Sequence, residues 1–295
     1  MFPEGPIAMP DGSVILVEIE RGTLTRVSAE GATEVVAECG GGPNGAAVGP
    51  DGRVYVCNNG GFSWVDDGNF RRPGDQLASD YKGGSIQAVD IASGAVETLY
   101  TECDGQPLNG PNDIVFDTHG GFYFTDLGKR RGRSIDRGAV YYASADGTSI
   151  REVVYPIETP NGVGLSPDGK KLYVAETSAA RLWVWDIDGP GHLSGAEHPF
   201  WPGRLLYRFP GYERLDSLAV DSMGNVVVAT LGTGCITAVG PDAQVKAVIP
   251  VPEFDLMVTN VCFGGPDLRT AYVTSSGLGR LYKVQWHCPG LALNY

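Results

Sequence analysis

Six stretches of the chain repeat one pattern in one phase: a polar residue, a short apolar run and a tight turn, most often Asp-Gly. They read EGPIAMPDG (4–12), NGAAVGPDG (44–52), NDIVFDTHG (112–120), NGVGLSPDG (161–169), DSLAVDSMG (216–224) and NVCFGGPDL (260–268). Asp11, Asp51, Asp168 and Asp267 stand seven residues after the leading residue, and His119 and Met223 hold that slot in the other two. The leading residues are Glu4, Asn44, Asn112, Asn161, Asp216 and Asn260, spaced by 40, 68, 49, 55 and 44 residues. A unit of roughly 40–50 residues matches the period of a propeller blade. A propeller directs the first strand of each blade at one central channel. Six leading residues in one phase therefore become six oxygen-bearing side chains at one end of one hole.

The flanking sequence agrees. Runs of β-formers follow each turn, at 13–18, 53–58, 121–126, 171–176, 225–230 and 270–275. Each turn then joins an inner strand to an antiparallel return strand. Further strands are expected to pair 22–28 with 33–38 and 181–187 with 204–209, while 42 Gly and 20 Pro punctuate the gaps. No long amphipathic helix is visible. The expected fold is all-β, a six-bladed β-propeller spanning 1–295 as one domain. Because Glu4 stands so early, either the tail at 288–295 completes the last blade or that blade keeps three strands. The longest interval holds an insertion from Asn59 to Gly83, too polar and Gly-rich for a blade. It follows a strand that returns to the leading-residue end, so it is either a lid over that end of the channel or a surface excursion.

The net charge of −13 argues against nucleic acid as a partner. The basic run Lys129-Arg130-Arg131, with Arg133 and Arg137, reads as a solvated loop or as a rim that steers an anionic substrate. Six cysteines without a CxxC pair read as free thiols, mostly buried. With no signal-peptide pattern and no apolar run of membrane-spanning length, the expectation is a cytoplasmic protein without a membrane partner.

The leading ring combines two carboxylates, Glu4 and Asp216, with four amides. A set of hard oxygens suits one divalent cation, most naturally Ca²⁺, and the same donors accept Zn²⁺, Mn²⁺ or Mg²⁺. A cation also lets two acids share an enclosed space. The competing reading is that these residues cap strand ends and hold channel water. Fourteen residues on, the return strand is expected to come level with the ring, bringing Glu18, Asn58, Asp126, Ala175 (with Glu176 beside it), Thr230 and Thr274. Glu18 and Asp126 are candidates to orient the metal ligands from behind. His119, His192, His198 and His287 are scattered, and no GxSxG elbow or phosphate loop occurs.

EGP (4–6), GPND (110–113), TPNGVGLSPDGKKLYVAET (159–177) and LDSLAVDSMGNVVVAT (215–230) resemble the SMP-30/gluconolactonase/luciferin-regenerating-enzyme family over essentially the whole chain. The resemblance implies a six-bladed propeller with one catalytic divalent cation, held by Glu4, Asn161 and Asp216. It places Asn112 at the metal or substrate; Asn44 and Asn260, the other amides of the ring, are further candidates to position substrate or water. The implied activity is hydrolysis of a small lactone, with Asp216 as general base. A related esterase or phosphotriesterase, or a non-catalytic metal-stabilised binding propeller, are the alternatives. Where lactonases of this family that act on sugars carry an HG.RR-like stretch, this chain reads NNGGFSWVDDGNF (58–70), which departs from sugar recognition.

Overall fold

The computed structural model describes residues 2–66, 68, 70–196, 198 and 200–295, and contains strands and turns but no helix among them. Six antiparallel sheets form a six-bladed β-propeller. The inner strands are Pro3–Ala8, Pro43–Val48, Pro111–Phe116, Pro160–Leu165, Arg214–Val220 and Val258–Gly264, so each of the six repeats opens one blade. Each is followed by its return strand across the expected hairpin. The outer pairs also form as expected: Thr23–Val27 with Thr33–Glu38, and Arg181–Gly189 with Arg204–Arg208.

Buried apolar residues fill five of the spaces between blades. Tyr55, Phe116, Phe122 and Phe124 pack blades 2 and 3, and Val140, Val174 and Trp183 pack blades 3 and 4. Similar clusters join blades 1 and 2, 4 and 5, and 5 and 6. At the seam of blades 6 and 1, polar contacts hold the ring closed. Ser276 Oγ donates to the Pro3 carbonyl at 2.5 Å, and Asn260 Nδ2 donates to Glu4 Oε2 at 2.8 Å. Blade 6 keeps three strands, Val258–Gly264, Thr270–Ser275 and Arg280–Gln285. The tail does not complete it. Instead Gly290 N binds the Leu268 carbonyl, Leu291 N the Val220 carbonyl, and Asn294 Nδ2 the Phe116 carbonyl. The tail thus crosses from blade 6 past blade 5 to blade 3 at the turn end of the channel. All six cysteines are free, four of them buried, and no helix is long and apolar enough to cross a membrane.

Crowding near the axis explains the glycines that follow leading residues. A Cβ on Gly162 would lie 2.5 Å from Leu218 N and 2.7 Å from the Ser217 carbonyl carbon, both in the next blade. One on Gly5 would lie 2.6 Å from the Asn44 carbonyl oxygen. Both obstacles are backbone and cannot rotate away, so a methyl there forces the blades apart. We expect Gly162→Ala to cost about 2–3 kcal/mol. Its urea midpoint checks this, and a midpoint equal to that of the wild type would contradict the close approach.

Candidate metal centre

In five blades a β-bulge follows the leading residue and shifts the pairing register. The return residue therefore stands opposite the residue before the leading one: Glu18 opposite Pro3, Asn58 opposite Pro43, Asp126 opposite Pro111, Glu176 opposite Pro160 and Thr230 opposite Leu215. Only in blade 6 does the pair run as expected, Asn260 with Thr274. Cross-strand partners share a face of a sheet, and consecutive residues alternate. The return residues are thus not level with the ring and do not form a second ring around it.

Three of them act on the backbone instead. Asp126 accepts from Asn109 N and Gly110 N, both at 2.7 Å, immediately ahead of Pro111-Asn112. Asn58 Oδ1 accepts from Gly42 N at 2.9 Å ahead of Pro43-Asn44, and Glu176 from Glu158 N at 3.1 Å ahead of Pro160-Asn161. Asp126 therefore fixes the chain that carries Asn112. The described bonds of Glu18 go to Thr23, Thr25 and Arg21, all within blade 1.

Five leading residues line one cavity of about 410 Å³ at their end of the channel: Glu4, Asn44, Asn112, Asn161 and Asp216. All five are buried. Asn260 is not among the residues lining this cavity. Its Nδ2 binds Glu4, its Oδ1 accepts from Val261 N at 2.7 Å, and it borders a second cavity toward the turn end. Its amide orients Glu4, where sequence reasoning assigned it to substrate. The second cavity is larger, about 470 Å³, but is lined by inner-strand residues such as Val48, Val163 and Leu218 and bordered by the tail from Leu291 to Tyr295. It is bordered by Asp113, Asp117, Asp168 and Asp188 but by neither Glu4 nor Asp216, and Asp117 and Asp168 are already supplied with donors from their own turns.

Burial dominates the electrostatics. Desolvation lifts Glu4 from 4.5 to about 6, against the hydrogen bonds from Asn260 and Gly5. Asp216 is driven well above the usual carboxylate range by burial, then by the negative charge of Glu4. A third acid joins them. Asp113, buried behind Asn112, is raised to about 7 by burial and again by Glu4. Its oxygens accept from Ile114 N at 2.9 Å and Val163 N at 3.4 Å, so it ties blade 3 to blade 4. The signal for it in the sequence is an acid in the place where three other repeats carry Gly.

These residues fit a hard divalent cation. Asn112 Oδ1 is buried and has no hydrogen-bond donor among the described residues, so it keeps lone pairs for another partner. Two mutually repelling carboxylates face the same space, which a cation would relieve. The same test fails for the one group of His, Cys and acidic atoms that converge elsewhere among the described residues, Asp221, His287 and Cys288. The Asp221 carboxylate already accepts from Met223 N, Asn225 N, Asn225 Nδ2, Trp286 Nε1 and Cys288 Sγ. Its lone pairs are spent on holding the blade 5 turn and the tail.

The insertion forms a hairpin, Phe62–Asp66 with Arg71–Leu77; Asp67 and Asn69 lie outside the described residues. Phe62 and Arg72–Gln76 line the mouth of the cavity. The hairpin touches blade 1 through Phe2 against Trp64, with ring centroids 5.1 Å apart, and through Arg71 to Glu20. It reaches blade 6 through Arg71 N to the Gly277 carbonyl and blade 3 through Gly132 N to the Asp75 carbonyl. At its root Lys129 is buried, donating to Asn59 Oδ1 at 3.0 Å and the Gly61 carbonyl at 2.7 Å. Its ammonium lies 4.0 Å from the Phe62 ring centroid, and burial pulls it down to about 7. The basic run of the sequence therefore splits. Lys129 and Arg130 face the cavity, while Arg131 pairs with Asp136 and Arg137 with Glu158.

Residues 2–277 match the family described as SMP-30/Gluconolactonase/LRE-like region. Lactonase drp35 of Staphylococcus saprophyticus is 35% identical over 226 residues, covering 76% of this chain and 61% of that protein. Its counterpart in Staphylococcus aureus is 32% identical over 215 residues, covering 72% and 58%. The matches span about 60% of the length of these curated relatives. Among solved structures, a gluconolactonase from Xanthomonas campestris superposes with a TM-score of 0.74 at 21% identity, covering 96% of this chain and 85% of that one. A calcium-binding protein, regucalcin, from Agrobacterium tumefaciens gives 0.74 at 19%, covering 99% and 94%. At those identities the structures bear on the fold alone.

The raised acids have a measurable consequence. An acid lifted on folding stabilises the fold fully below its unfolded value and loses that contribution as pH rises through the folded one. For Glu4 the window runs from 4.5 to about 6, worth on the order of 2 kcal/mol. Metal-free wild type should lose this amount relative to Glu4→Gln between pH 4 and pH 7.5, measured by urea denaturation at both. Parallel behaviour of the two proteins would contradict the burial of Glu4 as an isolated charge.

Proposed function

The chain belongs to the SMP-30/gluconolactonase/LRE-like family, and we propose that it is a metal-dependent lactonase that opens a small lactone ring to the hydroxy acid. The observation that carries this reading is the buried Oδ1 of Asn112, which has no donor among the described residues, in a side chain that lines one cavity with Glu4, Asn161 and Asp216. The lactonase names of the relatives support the reaction, and the set of hard oxygen donors around the cavity supports the cation.

Glu4, Asn161 and Asp216 would hold the cation, with Asn112 completing the donors or meeting the substrate, and Asn44 lines the same cavity. A bound divalent ion supplies Lewis acidity to the ring carbonyl and lowers the pKa of water at the site. The residues do the rest. Asp216 accepts the proton of the attacking water; a cation beside it would bring its pKa below the raised metal-free position, so the lowered pKa of the water would carry part of the task. Water oxygen bonds to the carbonyl carbon, the ring C–O bond breaks, and the alkoxide leaves with a proton as the hydroxyl of the product. Asn260 keeps Glu4 in place. Asp126 keeps Asn112 in place through the backbone of Asn109 and Gly110.

The hairpin of the insertion acts as a lid that keeps bulk water from the bound ring. The wall it shares with the blades carries Phe2, Ile19, Phe62, Leu127, Leu256 and Met257. Such a wall favours a ring with apolar carbons over a polyhydroxylated one.

Asp216→Asn should abolish lactone hydrolysis, by roughly 10²–10⁴-fold or more, while its thermal unfolding stays cooperative. Full activity in that variant would remove the assignment. Chelation should silence the wild type, and one of Ca²⁺, Zn²⁺, Mn²⁺ or Mg²⁺ should restore it and add about 3 kcal/mol of stability at a hundredfold excess over Kd. A panel of γ- and δ-lactones, an aldonolactone, a linear ester and a phosphotriester tests the substrate class. Turnover of the phosphotriester or the linear ester alone would redirect it to those reactions.

A further inference from the structure

We propose that Lys129 forms the binding subsite for an anionic substituent, a carboxylate, on the lactone ring. This rests on the lactonase reading and narrows it to a class of substrate. Lys129 stands at the boundary between the return strand of blade 3 and the root of the insertion, and lines the same cavity as Glu4, Asn112 and Asp216. Its ammonium is buried, 2% exposed for the residue as a whole. Both of its described hydrogen-bond acceptors are neutral, Asn59 Oδ1 and the Gly61 carbonyl, leaving one of its three N–H donors over.

Buried charges are ordinarily paired, because an unpaired one keeps its full desolvation cost. The nearby acid, Asp126, already accepts from Asn109 N, Gly110 N and Gly128 N. Among the described residues no carboxylate lies within ion-pair distance of Lys129. Beside it, Asn59 Nδ2 is a second buried donor without an acceptor among the described residues. An ammonium short of one acceptor on the lining of the cavity, with a buried amide donor behind it, is what a carboxylate would satisfy. Two further cations line the cavity with charge to spare: Arg214 has no ion pair among the described residues, and Arg130 has only a loose one at 3.6 Å to Asp75, which lines it too. The Phe62 face under the ammonium holds it in position when no anion is bound.

The test uses the metal-loaded protein with γ-butyrolactone and its γ-carboxylate. Wild type should prefer the carboxylate, by kcat/KM, roughly 10- to 100-fold, the range of a charge-assisted hydrogen bond. In Lys129→Met that ratio should collapse to near one, chiefly through a higher KM for the carboxylate, and Lys129→Arg should keep part of it. If wild type shows no preference, or if Lys129→Met lowers both substrates alike along with its melting temperature, Lys129 is a latch for the insertion and the proposal falls. If wild type hydrolyses neither lactone, the lactonase reading fails separately, and calorimetry with tetrahydrofuroate, which cannot be hydrolysed, decides the subsite. Binding to wild type that is lost in Lys129→Met supports it, and no binding to wild type overturns it.

Discussion

Close approach of the inner strands at the channel axis is the constraint on which the rest of the molecule depends. Gly5 and Gly162 leave no space for a methyl against the backbone of the next blade. The β-bulge after each leading residue in five blades turns that residue out of the regular ladder. Together they carry five polar side chains to the wall of one cavity while the strands behind stay packed in apolar seams. The ring of donors follows from how blades fit around an axis.

Closure of the propeller and assembly of the site are the same event. The bond from Asn260 to Glu4 joins the last blade to the first and also positions an acid. Glu4 and Asp216 are then enclosed with Asp113 near them, each disfavoured as an anion by burial, and the charge of Glu4 adds to this at Asp216 and Asp113. A cation at the cavity would turn this repulsion into attraction, which links metal binding to the stability of the closed ring. The turn end of the channel carries no comparable demand, since its buried acids Asp117 and Asp221 are both supplied with donors.

Much of this was legible in the chain because it is local. The six repeats mark the six inner strands, and the outer pairs 22–28 with 33–38 and 181–187 with 204–209 form as their β-former runs suggest. Glu4, Asn44, Asn112, Asn161 and Asp216 share one cavity because repeat phase becomes position around an axis. The errors have two causes. Counting fourteen residues from Glu4 to Glu18 presumes an unbroken ladder, and a bulge of one residue reverses the face on which the return side chain stands. Asn260 and Asp113 were misassigned or missed because the bonds that define them cross between blades.

Sequence alone determined the number of blades, the phase of the leading residues and the presence of two acids among four amides, since each is written in spacing and residue type. The tertiary structure decided what each side chain does. It turned Asn260 from the substrate side to Glu4, set Asp126 to hold backbone, and laid the insertion across the mouth from blade 1 to blades 3 and 6. It also separated Lys129 from the arginines that follow it, burying one charge at the cavity and pairing others at the surface. Register, burial and contacts between blades depend on residues far apart in the chain, and no local pattern encodes them.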